Sequence, residues 1–244
     1  MLAKLRFLSF EVGRECDLAA QHPYCPVNRP ERHSASAGLP PLPDAAIIEF
    51  VSCARAMGFS GLVAFHYYNE PLLSRDRLDA LIAMILAAAP GTGFSLWSNG
   101  QRLAPGDAAW LNKFAAVHIT AHNRDRQQFY NALQIALPGK VKIMPGGHDD
   151  RGSVYDVALK LFPSPCWRPT VTEMIIDYFG ELHLCCVDWK AAEKIANLQT
   201  DPAGEAIRKW VDAAAAAREG RPEVCRRCRN LRRSPFVAGE DYRL

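Results

Sequence analysis

Residues 61 to 100 read "GLVAFHYYNEPLLSRDRLDALIAMILAAAPGTGFSLWSNG", and this stretch decides the fold. "GLVAFHYY" is an apolar and aromatic run of strand length, and "SRDRLDALIAMILAAAPG" has the apolar spacing of a helix capped by Ser74. "GFSLWSNG" is a second strand. A helix between two apolar strands is the crossover that parallel pairing requires. The alternation extends in both directions. Upstream lie a strand, "LRFLSFEV", and a helix, "DAAIIEFVSCARAMG", with Asp44 at its N-cap and Gly58 at its end. Downstream come a short helix, "DAAWLNKF", a strand, "AAVHITAH", a helix, "RDRQQFYNALQIAL", a strand, "KVKIMPGG", and a short helix near "VYDVALKLF". Five strands with helical crossovers predict an α/β fold, a parallel sheet or partial (β/α) barrel whose ligands gather at the C-terminal ends of the strands. Polar residues stand at those ends: Cys16, then "YYNEP", "SNG", "TAHN" and "PGGHDDRG". Topology alone therefore puts a site at the mouth.

After "SPCWRPT", residues 164 to 170, the pattern changes. "TEMIIDYFGELHLCCVD" reads as two β-like runs turning at Phe179 and Gly180, and the Ala-rich helix "PAGEAIRKWVDAAAAAREG" follows. This predicts a small α+β unit over 161–244 behind a barrel-like unit over 1–160, with the Pro-rich "FPSPCWRP" between them. At 244 residues the chain is long enough for both. The net charge of +3 sits mainly in "CRRCRNLRR", which makes no case for nucleic acid. The longest apolar stretch, "LDALIAMILAAAP", is broken by Asp79 and too short to span a bilayer, so no membrane partner and a cytoplasmic location are expected.

Eight cysteines in a chain of this kind point to metal or redox chemistry rather than to a disulfide framework. Cys166, the Cys185/Cys186 pair, and Cys225 with Cys228 offer four thiolate positions, the number that closes a tetrahedral zinc site or holds a 4Fe-4S cluster. Neighbours on one strand point to opposite faces, so only one of Cys185 and Cys186 is a ligand. The bland alternative is a set of buried, reduced cysteines, but a C-x-x-C among arginines is a poor core sequence.

The series "CWRP", "DYFGELHLCCVDW", "IANL" and "CRRC" resembles the twitch form of the SPASM extension at the C-terminus of radical S-adenosylmethionine (radical SAM) enzymes. The resemblance implies one auxiliary 4Fe-4S cluster on Cys166, Cys185, Cys225 and Cys228. It prefers Cys185 over the runner-up Cys186, because the family pattern sets a cysteine five residues after the hairpin glycine. The first part of the chain resembles the same family. "YNEPLL" keeps the Glu70 and Pro71 of a Gly-Gly-Glu-Pro-like segment, and Glu70 would meet the amino group of S-adenosylmethionine. "SNG" matches a Thr-Asn-Gly-like turn, so Ser98 and Asn99 would contact the ribose. Length and cysteine layout most resemble the compact dehydrogenases of that family. The expected fold is then a partial parallel barrel of the radical SAM type with a small twitch-like domain.

One loop departs from the pattern. In "CDLAAQHPYC", Cys16 and Cys25 match the first and last cluster cysteines, and His22 stands where the middle one belongs, in a loop longer by two residues. Three readings compete: Cys16, His22 and Cys25 hold a site-differentiated 4Fe-4S cluster; the third ligand is another residue, Cys53 or His33; or this cluster is lost. The implied activity is reductive cleavage of S-adenosylmethionine to a radical that abstracts hydrogen from a small molecule or peptide, with flavodoxin or ferredoxin as electron donor. The rival is a non-catalytic binding protein that keeps only the auxiliary cluster, and a third reading replaces that cluster with zinc. His66, His118 and His122 read as hydrogen-bonded structural residues, the tryptophans as packing, and Arg151 as a carboxylate-binding candidate.

Overall fold

The computed structural model describes residues 2–36, 38–146, 154, 172–219 and 221–228. Five strands, β1 (Phe7–Phe10), β2 (Leu62–Ala64), β3 (Gly93–Ser98), β4 (Ala116–Ala121) and β5 (Val141–Pro145), pair in parallel in sequence order. Helices α1 (Asp44–Ala56), α2 (Arg75–Ala88), α3 (Ala108–Leu111) and α4 (Gln127–Ala136) make the four crossovers. Two more strands, β6 (Glu173–Ile176) and β7 (Leu182–His183), form the expected hairpin. The fold is thus mixed α/β with a seven-stranded, mostly parallel sheet in the order β5-β4-β3-β2-β1-β6-β7.

Three local expectations are corrected. Pro43 rather than Asp44 is the N-cap of α1; Asp44 is its first residue and accepts from Arg77 Nη2 at 2.6 Å. Ser74 precedes α2 without a side-chain capping bond, because a 3-10 turn, Pro71–Ser74, already leads in and takes its cap from Glu70. Cys185 and Cys186 do not alternate across a strand: β7 ends at His183, and both lie in the turn that follows.

The C-terminal hairpin also does more than close a small unit. Its first strand pairs in parallel with β1, Phe7 opposite Glu173, so the sheet continues past the expected boundary near residue 160. The helix behind it, α5 (Ala203–Arg218), packs on α1 through Ala206, Ile207 and Trp210, all fully buried. The last described helix is α6 (Glu223–Arg227).

Side-chain alternation sorts the sheet into two faces. Leu8, Phe10, Val63, Phe65, Phe94, Leu96, Val117 and Ile119 share one large core with the helices. A second cluster lies apart from it and gathers Cys25, Tyr67, Tyr68, Ile175, Leu184, Cys186, Trp189 and Cys225. Burying the first set is what holds helices to strands, at about 25 cal/mol per Å² of apolar surface. Gly61 marks how tightly β2 enters, since a Cβ there would lie 2.3 Å from Arg6 O. The short helix expected near "VYDVALKLF", Cys166 and Arg151 lie outside the described residues.

Candidate functional site

The strand ends converge as topology predicts. Glu70, 3% exposed, sits just past β2 and reaches the end of β3. Its Oε1 accepts from Ser98 Oγ at 2.8 Å and from Leu72 N at 3.0 Å, and its Oε2 accepts from Asn99 N at 2.8 Å. Gly100 closes this turn at φ +71°, where a Cβ would meet Ile119 Cγ2 at 2.8 Å, so only glycine lets β3 turn beneath the carboxylate. Asn99 Nδ2 donates to Asp17 Oδ1 at 2.6 Å and lies 3.9 Å from Cys16 Sγ. Glu70, Ser98, Asn99 and Cys16 are therefore one constellation built from three strand ends.

Every donor to Glu70 is neutral, and among the described residues it has no ion pair. Burial pushes its pKa above the usual carboxylate value, opposed by the Asn99 and Leu72 backbone bonds and the Ser98 hydroxyl, with Asp17 adding to the rise. A buried carboxylate held only by neutral dipoles is short of one cation, and a ligand ammonium supplies it.

The loop of residues 16–28 is a run of tight turns. Cys25 N donates to His22 O at 2.9 Å, and Asn28 Nδ2 bridges Ala19 O and His22 O at 2.8 Å each. These turns carry its three candidate ligands to different neighbours. Cys16 faces Asn99; His22 lies against His122, ring centroids 4.3 Å apart; Cys25 joins the second apolar cluster. Among the described residues no three His, Cys, Asp or Glu side chains are grouped to hold a metal ion. Burial holds the Cys16 thiol above its usual pKa, with Glu70 and Asp17 nearby in the same sense. Cys53 lies on α1, packed against the helix-side core, and His33 faces Asp177 at 3.5 Å; neither is drawn to Cys16.

Of the C-terminal cysteines, the four described ones lie in or against the second apolar cluster. Cys186 and Cys225 are members of the second cluster, and Cys185 and Cys228 pack against it. Burial drives the Cys185 thiol well above its usual pKa, and Cys186, Asp188 and Cys225 push the same way. Mutually desolvated thiols of this kind fit a cation that accepts them as thiolates. The free thiols found among the described residues are all reduced.

The sheet face turned away from the helices holds residues that sequence reasoning missed. A parallel sheet is normally apolar on both faces. Here one face carries Ser9, Ser95, Trp97, His118 and Glu173. His66, Trp97 and His118 stack, with centroids 4.9 Å and 4.0 Å apart, and Trp97 pairs with His118 across β3 and β4. Ser9 Oγ donates to Glu173 Oε2 at 3.1 Å, and His66 Nε2 lies 3.7 Å from the same oxygen. Ser95 Oγ, Trp97 Nε1 and both ring nitrogens of His118 are buried without a hydrogen-bond partner among the described residues. Burial, with His66, Lys142 and Arg6 nearby, lowers the His118 pKa to about 4, so its ring is neutral at pH 7. Unmatched donors and acceptors on this face suit a polar ligand. The signal was present in "FLSFE", "SLWS" and "VHIT", where polar residues alternate with apolar ones.

No protein-family model matches the chain. An S-adenosyl-L-methionine-dependent 2-deoxy-scyllo-inosamine dehydrogenase of Niallia circulans is 23% identical over 255 residues, covering 92% of each chain. Among solved structures, BtrN in complex with AdoMet and 2-DOIA superposes with a TM-score of 0.69 at 20% identity, over 93% of this chain and 94% of that one. Selenomethionine BtrN in an open conformation gives a TM-score of 0.63 at 18% identity, over 93% of each. The chain has the fold of these structures, along almost its whole length.

Proposed function

We propose that the protein is a radical SAM oxidoreductase acting on a small molecule. The observation that carries this reading is Glu70: a buried carboxylate with no cation among the described residues, bonded to Ser98 and Asn99 at the strand ends beside Cys16. In this reading Glu70 holds the amino group of S-adenosylmethionine, and Ser98 and Asn99 face its ribose. The relative's dependence on S-adenosyl-L-methionine and the complex of the similar structure with AdoMet support the assignment. Held by Glu70, Ser98 and Asn99, S-adenosylmethionine would supply hydrogen-abstracting radical chemistry, one electron from a reduced 4Fe-4S cluster parting it into methionine and a 5'-deoxyadenosyl group.

The chain's own residues then do four things. Ser98 fixes the Glu70 carboxylate by donating to it while accepting from Gly100 N at 2.9 Å. The His66–Trp97–His118 stack and the Ser9–Glu173 pair line the floor below the cofactor, where a substrate would find donors and acceptors without net charge from His118. Cys166, Cys185, Cys225 and Cys228 hold the auxiliary 4Fe-4S cluster in a twitch-like unit over 161–244. Cys16, Cys25 and His22 are the candidate ligands of the first cluster, with flavodoxin or ferredoxin as electron donor.

One observation favours a second reading, a binding protein that keeps only the auxiliary cluster: Cys16, His22 and Cys25 face three different neighbours. The test is anaerobic reconstitution followed by iron analysis and an assay for S-adenosylmethionine cleavage under strong reduction. About eight irons per chain with 5'-deoxyadenosine formed supports the enzyme, since each full cluster brings four. About four irons and no cleavage overturns it in favour of the binding protein.

A further inference from the structure

Beside the mouth, between the segment after β1 and the turns that follow Cys25, lies a cavity of about 490 Å³. Its wall includes Arg14, Glu15, Asn28, Arg29, Arg32 and His33. Three of these residues carry guanidinium groups and one a carboxylate, and Arg32 is already paired with Glu11. Arg32 is the informative one. It is 4% exposed, lies over the rings of Tyr67 and Tyr68 at 5.4 Å and 4.8 Å, and donates through Nη2 to Glu11. The same Glu11 carboxylate also takes Tyr68 N at 3.2 Å and Tyr178 N at 3.3 Å. Arg32 Nε is buried and has no hydrogen-bond partner among the described residues.

Arg14 is exposed, lies 5.4 Å over the Phe179 ring, and has no carboxylate partner among the described residues. His33 packs edge-on to Phe179 at 5.0 Å, and its Nδ1 is 3.5 Å from Asp177 Oδ2. Asp177 is in turn fixed by Phe179 N and Glu181 N, each at 2.9 Å, and by His183 Nε2 at 3.3 Å. Guanidinium forks match carboxylate and phosphate oxygens in pairs, and the volume is that of a small-molecule site.

We propose that this cavity is an oxyanion subsite that takes the carboxylate or phosphate of the protein's small-molecule substrate. That the ligand is a substrate rests on the proposed function; that the cavity takes an oxyanion does not. Glu15 ties the subsite to the cofactor cradle, since Glu70 N donates to Glu15 O at 2.8 Å. An acidic group held by Arg14 and Arg32 would anchor one end of a substrate whose other end reaches the mouth.

The probe is pyrophosphate, titrated calorimetrically into the purified full chain at low ionic strength. Saturable one-to-one binding is expected, weakened about tenfold or more by Arg14→Gln, the loss expected for one charge-assisted contact. Arg221→Gln, whose side chain is 64% exposed and pairs with Glu219, removes the same charge at a residue that does not line the cavity and should change nothing. No saturable binding, or equal weakening by both variants, overturns the subsite. A repeat with S-adenosylmethionine present separates the two sources of an oxyanion. Undiminished pyrophosphate binding supports a substrate group, whereas competition assigns the cavity to the cofactor's carboxylate and overturns the substrate assignment. Because none of these readouts needs cleavage, an inactive protein that still binds pyrophosphate would sink the enzyme reading and leave the oxyanion subsite standing.

Discussion

Replacing Glu70 with glutamine tests the cradle at its centre. The amide oxygen can keep the bond from Asn99 N, and the Ser98 hydroxyl can turn to accept from the new amide. Leu72 N, now 3.0 Å from Oε1, then faces an NH2 group and loses its acceptor. A buried donor left unmatched costs about 1–3 kcal/mol. Removing an unpaired, desolvated carboxylate offsets much of this, so the melting temperature should move by no more than about 4 °C. Cofactor binding should respond far more. Losing one partner of a desolvated ammonium–carboxylate pair costs about 2–5 kcal/mol, or roughly 30-fold to several thousand-fold in Kd. The pH dependence follows the same group. Because the Glu70 pKa is raised in the folded protein, its effect on stability favours the fold at low pH and is lost as pH rises through the folded value. Affinity for the ammonium runs the other way, falling as pH drops through that value. Calorimetric titration of S-adenosylmethionine into anaerobically reconstituted wild type and Glu70→Gln, at two pH values, reads both effects. Binding by the variant within threefold of wild type would refute the cradle.

Other expectations follow from the same geometry. Cys225→Ser should lower the iron content by about four per chain, whereas Cys186→Ser should leave it unchanged; equal losses would reject the choice of Cys185 as ligand. His118→Gln should flatten the acid limb of stability. A folded pKa of about 4 against 6.5 means that stability present above pH 6.5 is lost as pH falls toward 4, by about 3 kcal/mol in all, of which urea unfolding at pH 7.5 and 5 reads about 2 kcal/mol. Comparison with wild type isolates this term from His183, whose raised pKa acts in the opposite sense. Trp210→Ala should cost about 3–5 kcal/mol, because the side chain is fully buried and its Nε1 donates to His183 O at 3.0 Å; a thermal shift under about 4 °C would contradict that packing.

The alternation of strands and helices was legible because helical and extended apolar periods differ, and β1 to β5 with their four crossovers lie where that alternation put them. Glu70, Ser98 and Asn99 were legible because they follow strands, and parallel topology brings strand ends to one side. The pairing of β6 was not. "EMII" is a short apolar run that suits a hairpin edge as well as a sixth parallel strand, and only its seat against β1 distinguishes the two. The polar row of Ser95, Trp97 and His118 shows the same limit: alternation was visible in each strand, but a lone histidine reads as structural until the neighbouring strands bring Trp97 and His66 beside it.

The sequence by itself determined the α/β class and the strand ends that Cys16, Glu70, Ser98 and Asn99 follow, since these depend on local period and on residue type. Only the tertiary structure decided how each charge is met. Among the described residues Glu70 is held by neutral donors alone, whereas Arg32 is paired with Glu11 and keeps an unmatched Nε. Burial turns the deficit at Glu70 into a preference for a cationic ligand.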